Sequence, residues 1–170
     1  NAILRYKYGM AVEEQSAGQR NKEPYNRFIS MNFMICRDAF LKVRFDETFH
    51  LGYEDTLFGM QLEQAGVEIL HIDNPVYHLV EENSEQFLMK IRRAVRNLDG
   101  HIEQMHSHVK LLRWYACVKR LGMAPLVAFL FRQIEKRLVS NLTSRKPSLK
   151  LFAFYKLGYL CNFLSQKKPD

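Results

Sequence analysis

The sequence predicts an α/β fold, helix-rich, whose second half is a mostly helical extension. Three observations predict it. In residues 1–82, short apolar runs that read as strands alternate with short amphipathic runs that read as helices. From Ile91, apolar residues recur at alternating steps of four and three through Val95, Leu98, Ile102, Met105, Val109, Leu112 and Ala116, a heptad-like stripe. Beyond it lie a further helix that begins at Pro125 and an aromatic-rich basic stretch, so residues 83–170 read as the extension.

Taken in order, Leu4 to Arg20 mixes polar and apolar residues as a helix would, although Gly9 and Gly18 weaken that reading. Asn21 to Asn26 contains Pro24 and is a turn or loop. Phe28 to Cys36 is short, apolar and rich in aromatics, and reads as a buried strand. Asn32 inside it needs hydrogen-bond partners, so it either tethers a loop or faces a wet cleft. Arg37 to Val43 is a helix of one to two turns, and Phe45 to Glu47 a turn in which Asp46 is structural.

The next stretch, His50 to Gly66, runs Gly52-Tyr53-Glu54-Asp55 into a helical spacing of Phe58, Leu62 and Ala65, with Leu57 on the flank. Gly66 stands where that helix would stop. The two carboxylates fall in or near its first turn. There they complement the positive end of the helix dipole, worth ~0.3–1 kcal/mol each. A helix cap explains them as simply as catalysis does. Val67 to Ile72 alternates as a strand, Asn74-Pro75 breaks it, and Val76 to Val80 is another short strand carrying His78.

In the extension, Asp99-Gly100 divides the heptad stripe into two helices, and the stripe itself reads as a core-facing seam. His101, His106 and His108 have poor spacing for a shared metal. Pro125 begins a helix, where its missing N–H costs nothing. Residues 149–164 are aromatic, with Lys150 and Lys156 among them and Lys167-Lys168 beyond. A membrane span needs ~20 apolar residues, more than this stretch supplies. It either packs on the body of the protein or lies in a membrane interface.

Composition bounds the function. With 47% apolar and 25% charged residues the chain can bury a core and carries no disorder signature. Cys36, Cys117 and Cys161 are odd in number and far apart, so they are expected reduced and buried in a cytoplasmic protein. The net charge of +7 is uneven: from Lys110 onward there are 13 Lys and Arg against 2 acids. Such asymmetry points to an anionic membrane surface or another acidic partner near the C-terminus. Nucleic acid is not expected, since no helix-turn-helix, zinc-ligand or aromatic RNA-binding pattern occurs.

The ordered set "RDAF", "RFDETF", "GYEDTLFG" and "QAGVEILHIDNPVYH", preceded by the apolar run with Asn32, resembles the second half of the catalytic domain of bacterial family-2-type, GT-A-fold glycosyltransferases. Residues 28–78 carry the likeness. It implies an inverting transfer of sugar from a nucleotide-diphosphate donor to a carbohydrate or lipid-linked acceptor in cell-envelope or exopolysaccharide synthesis, at the inner face of the plasma membrane. It implies that Asp55 is the general base with Glu54 beside it, that Asn32 and Tyr53 bind substrate, and that His78 helps hold a divalent metal (Mn or Mg) or the diphosphate. No Asp-x-Asp occurs in the chain. The donor site and most metal ligands are therefore expected upstream, and the fragment alone is expected to be inactive. The competing reading is a non-catalytic helical module that binds a partner or a membrane.

Overall fold

The computed structural model describes residues 1–47, 49, 52–79 and 81–167. Expectations touching Thr48, His50, Leu51, Val80 and Lys168 lie outside these residues. The fold among them is helical, not α/β. Helix α1 (Ile3–Tyr8) runs on into a π-helical turn (Gly9–Glu13), followed by α2 (Ala17–Arg20) and a 3-10 turn (Tyr25–Arg27). Then come α3 (Arg37–Lys42), α4 (Glu54–Gln64), α5 (Ser84–Asn97), α6 (Ile102–Met105), α7 (Lys110–Arg120), α8 (Ala124–Leu142) and α9 (Leu149–Ser165). No strand occurs among the described residues, so the predicted α/β class and its GT-A sheet are corrected to an all-helical arrangement.

The reason lies in what a strand requires. Residues 67–72 do alternate: Val67, Ile69 and His71 turn inward while Glu68, Leu70 and Ile72 face out. A strand, however, is completed by a neighbour's N–H and C=O groups, and here side chains take that place. Asn21 bonds both the N–H and the C=O of His71, each at 2.8 Å, and Arg20 donates to the carbonyl of Ile72. Residues 76–79 are exposed, Tyr77 completely. The run from Phe28 to Cys36 fails as a strand for another reason. Phe28 is buried, but the chain turns at Ser30-Met31 and Met34 is 96% exposed. Its aromatics pack against a helix instead of a sheet, Phe28 buried and Phe33 still 40% exposed. Phe28, Phe33, Phe40 and Phe45 gather on Phe58 of α4, with Phe45 stacked at 4.1 Å between ring centroids.

The larger core lies between α5 and the C-terminal helices. The heptad stripe breaks at Asp99-Gly100 and again at 106–109, and its Val95, Leu98, Met105, Val109 and Leu112 are buried. Tyr115, not Ala116, continues the seam into α7. Asn83 caps α5 in a reciprocal box with Gln86, an arrangement worth ~1 kcal/mol. The most extensive helix contact joins α8 and α9. Gly158 permits it, because a Cβ there would stand 2.6 Å from the ring of Phe131. Burying such an aromatic contributes ~1.5–3 kcal/mol. From α5, Arg92 Nε donates to Tyr155 Oη (2.5 Å) and Arg96 Nε to Tyr159 Oη (2.6 Å), fixing α9 in place.

The aromatic stretch left between two readings thus packs on the body: Phe152, Tyr155, Tyr159, Leu160 and Cys161 are buried in α9. The cysteines are free as expected, but not uniformly buried. Cys161 is enclosed, Cys117 half-buried and Cys36 exposed, because the segment ahead of α3 runs along the surface.

Candidate functional site

The chain reaches α4 through an unusual turn. Gly52 has φ +78° and Tyr53 has φ +72°, the sole positive φ outside glycine among the described residues. For a bulky residue this conformation stores strain, which persists only where surrounding packing enforces it. The enforcement comes from α5. A Cβ on residue 52 would stand 2.3 Å from the Cβ of Ala94, so glycine is required there on two counts. Tyr53 itself is packed against the main core, and burial pushes its phenol well above the usual tyrosine range. The turn is thereby clamped, and Glu54 and Asp55 enter the first turn of α4 from a fixed position.

Asp55 stands on the wall of a cavity of about 430 Å3. Its other walls come from α1 (Arg5, Tyr8), the segment 26–31, α5 (Phe87, Ile91) and α9, which contributes Lys156. Asp55 Oδ1 is buried without a hydrogen-bond partner among the described residues, and so is Glu54 Oε2. A buried carboxylate oxygen left without a donor costs stability, typically ~1–3 kcal/mol for a polar group and more for a charged one. Capping of the helix does not account for it. Thr56 and Tyr53 flank Asp55 on the same wall, whereas Glu54 is not among the lining residues.

Two other expected residues lie elsewhere. Asn32 is exposed and outside the cavity, and its amide donates to the carbonyl of Asn74 at 3.1 Å. It is the loop tether of the two roles the sequence leaves open. His78 lines a separate, open cleft of about 590 Å3 with Glu81, Glu82 and Lys90. Arg5 connects the two spaces. It is 8% exposed, pairs with Glu13 at 2.8 Å and Glu82 at 3.6 Å, and brings a guanidinium nitrogen to 3.5 Å from His78 Nδ1. Comparison with protein-family models, curated proteins and solved structures returns no match.

The surroundings of His78 supply no divalent-metal site of their own among the described residues. His78 faces a guanidinium, and Glu82 is already taken by Arg5 and Lys90. No group of three metal-ligating side chains occurs among the described residues. Of the other histidines, His108 Nε2 lies 2.9 Å from Glu63 Oε2, and His101 packs edge-on against Phe49.

Arg5 and Lys156 are the site residues that sequence reasoning missed. Arg5 sits in a mixed helical run with nothing to mark it. Lys156 lies in the aromatic stretch that the sequence leaves open between packing and a membrane interface, and its ammonium rests over Phe152 (4.8 Å) and Tyr8 (5.1 Å). Burial, reinforced by the like charge of Lys110, lowers its pKa to about 8.

Proposed function

We propose that this chain carries the acceptor side and the general base of an inverting glycosyltransferase, with Asp55 as the base. What supports the reading is one observation: the Asp55 carboxylate is held at a strained, clamped turn on a cavity wall, with a buried oxygen that no group among the described residues satisfies. An acceptor hydroxyl is a donor of the kind that oxygen lacks. On this reading the hydroxyl gives its proton to Asp55 as its oxygen bonds to the anomeric carbon of a nucleotide-diphosphate sugar. The bond from that carbon to the diphosphate oxygen breaks, and the electron pair leaves with the diphosphate. Attack from the opposite face inverts the anomeric centre. Tyr53 and Thr56 would flank the acceptor. General-base catalysis of this type contributes about 10²–10⁴-fold.

The test is sugar transfer by the full-length protein with Asp55→Asn. Turnover should fall about 10²–10⁴-fold, while the circular dichroism spectrum is retained and the melting temperature is kept or raised, because Asn keeps the shape and removes an uncompensated buried charge. Unchanged transfer would end this reading. The second reading, a module that binds without chemistry, is favoured by the exposed apolar side chains where α7 meets α8, and it expects Asp55→Asn to change no binding.

A further inference from the structure

Exposed apolar side chains line the segments 31–34 and 70–79, but on the helices of the C-terminal part they gather at one corner. Helices α7 and α8 meet at Leu121-Gly122-Met123 with a bend of 115°. Leu121 is 63% exposed at the tip, and Met123 beside it is also exposed. Trp114, one heptad before Leu121 and hence on the same face of its helix, is 58% exposed. On α8, Leu126, Phe129 and Leu130 follow at steps of three and four, which places them on one face, and all three are exposed. The opposite face of α8 supplies Val127 and Phe131 to the core, so the outer face is not spare core. Neither helix alone is long and apolar enough to cross a membrane.

The rim of this corner has one sign. Arg113, Lys119, Arg120, Arg132, Lys136 and Arg137 are all exposed. Between Lys110 and Lys167 the sole acid is Glu135, and it is held by Arg92 at 2.7 Å. The basic side chains therefore have no carboxylate partner on the corner itself among the described residues. Like charges would oppose a second copy docking face to face. An apolar wedge carrying tryptophan, ringed by uncompensated cations, is complementary to a surface with an acyl interior and anionic headgroups.

We propose that the α7–α8 corner inserts into an anionic lipid surface, with Trp114, Leu121, Leu126 and Phe129 at the acyl boundary and the arginines and lysines on the headgroups. The docking element is this corner, not the aromatic helix α9, which buries Phe152, Tyr155, Tyr159 and Leu160 in the core. The inference is independent of the role of Asp55.

Trp114 is the only tryptophan in the chain, so it reports on the corner directly. Its fluorescence should shift to the blue and become shielded from acrylamide when vesicles of phosphatidylcholine and phosphatidylglycerol are added at low salt. Pure phosphatidylcholine should give much less, and added salt should reverse part of the effect. Leu126→Ser with Phe129→Ser should abolish the shift with the fold intact, because both side chains are solvent-exposed. Arg120→Glu should weaken partitioning at least ~fivefold. Three outcomes overturn the proposal: no shift with any vesicle, a shift that survives the double serine variant, or a Trp114 blue shift that follows protein concentration without lipid, which would make the corner a self-association surface. Unaltered sugar transfer by Asp55→Asn would leave the lipid result standing, so the two readings fail separately.

Discussion

Lys156 shows how far one side chain can depart from its sequence environment. It sits among aromatics in α9, yet it reaches the cavity that Asp55 lines. Its ammonium is held by ring faces and by no carboxylate among the described residues. Burial favours the neutral amine, and the nearby charge of Lys110 acts in the same direction. The consequence for stability has a definite sign. A lysine whose pKa falls from 10.5 to about 8 on folding leaves the unfolded chain binding more protons between those values. Stability therefore rises as pH increases through 8. From pH 9 the Cys161 thiol, pushed up from 9.0 to about 11 by burial, opposes it. Near pH 10 the buried phenols of Tyr8 and Tyr155, both raised by burial, add to the opposition, since the unfolded chain then loses protons that the folded one keeps. Denaturant titrations between pH 8 and 9 should show the increase, and Lys156→Met should flatten it. A variant with the wild-type slope would refute this account. Nothing in the linear sequence could have signalled the effect, because it depends on Tyr8 and Lys110 being brought to α9 from distant positions.

At the scale of elements, the sequence was legible wherever the signal is local. The helix after Glu54-Asp55 ends at Gln64, two residues before Gly66; α8 starts with Pro125 in its first turn; the heptad stripe breaks at Asp99-Gly100. These features depend on caps, breakers and a 3.6-residue period, all contained in a few consecutive residues. The strands failed because pairing is not local. Residues 67–79 satisfy the pattern without a ladder, and 28–36 bury Phe28 and set Phe33 against Phe58. The candidate site divides in the same way. Asp55 and Tyr53 could be located from the turn-and-helix pattern, while the cavity opposite them is made by α1, α5 and α9. A prediction belongs here. In segment 67–79 the amides of Glu68, Ile69, Leu70 and Ile72 have no acceptor among the described residues, in contrast to His71, which donates to Asn21. Peptides covering 68–79 should exchange with deuterium at nearly the rate of an unfolded chain, while those from α8 and α9 stay protected to the level of global opening. Protection of the two regions to the same degree would mean that the segment is paired after all.

For the molecule as a whole, the question is whether the expected parts, 1–82 and 83–170, behave as two units. The main core draws from both: Leu4, Phe49, Leu57 and Met60 are buried in one cluster with Val95, Leu112, Phe131 and Leu160. The polar contacts also cross. The backbone of Asn1 accepts from Ser84, and its side chain donates to the carbonyls of Thr143 and Ser144, at the end of α8. Neither part can expose its face without stripping apolar cover from the other, at ~25 cal/mol per Å2 of apolar surface. Opening at the junction should then coincide with loss of the core, giving one cooperative transition. Three probes placed far apart can check this. Trp114 reports on α7, far-ultraviolet dichroism on all the helices, and the thiol of Cys161, whose pKa is pushed up to about 11 by burial, on the centre of α9. In urea the fluorescence, the helix signal and Cys161 labelling should share one midpoint, whereas Cys36, exposed ahead of α3, reacts before unfolding begins. If helix content is lost in two steps, with Cys161 protected through the first, the N-terminal part unfolds on its own. The turn that presents Asp55, clamped from α5, would then owe its geometry to a docking equilibrium between the parts rather than to a single core.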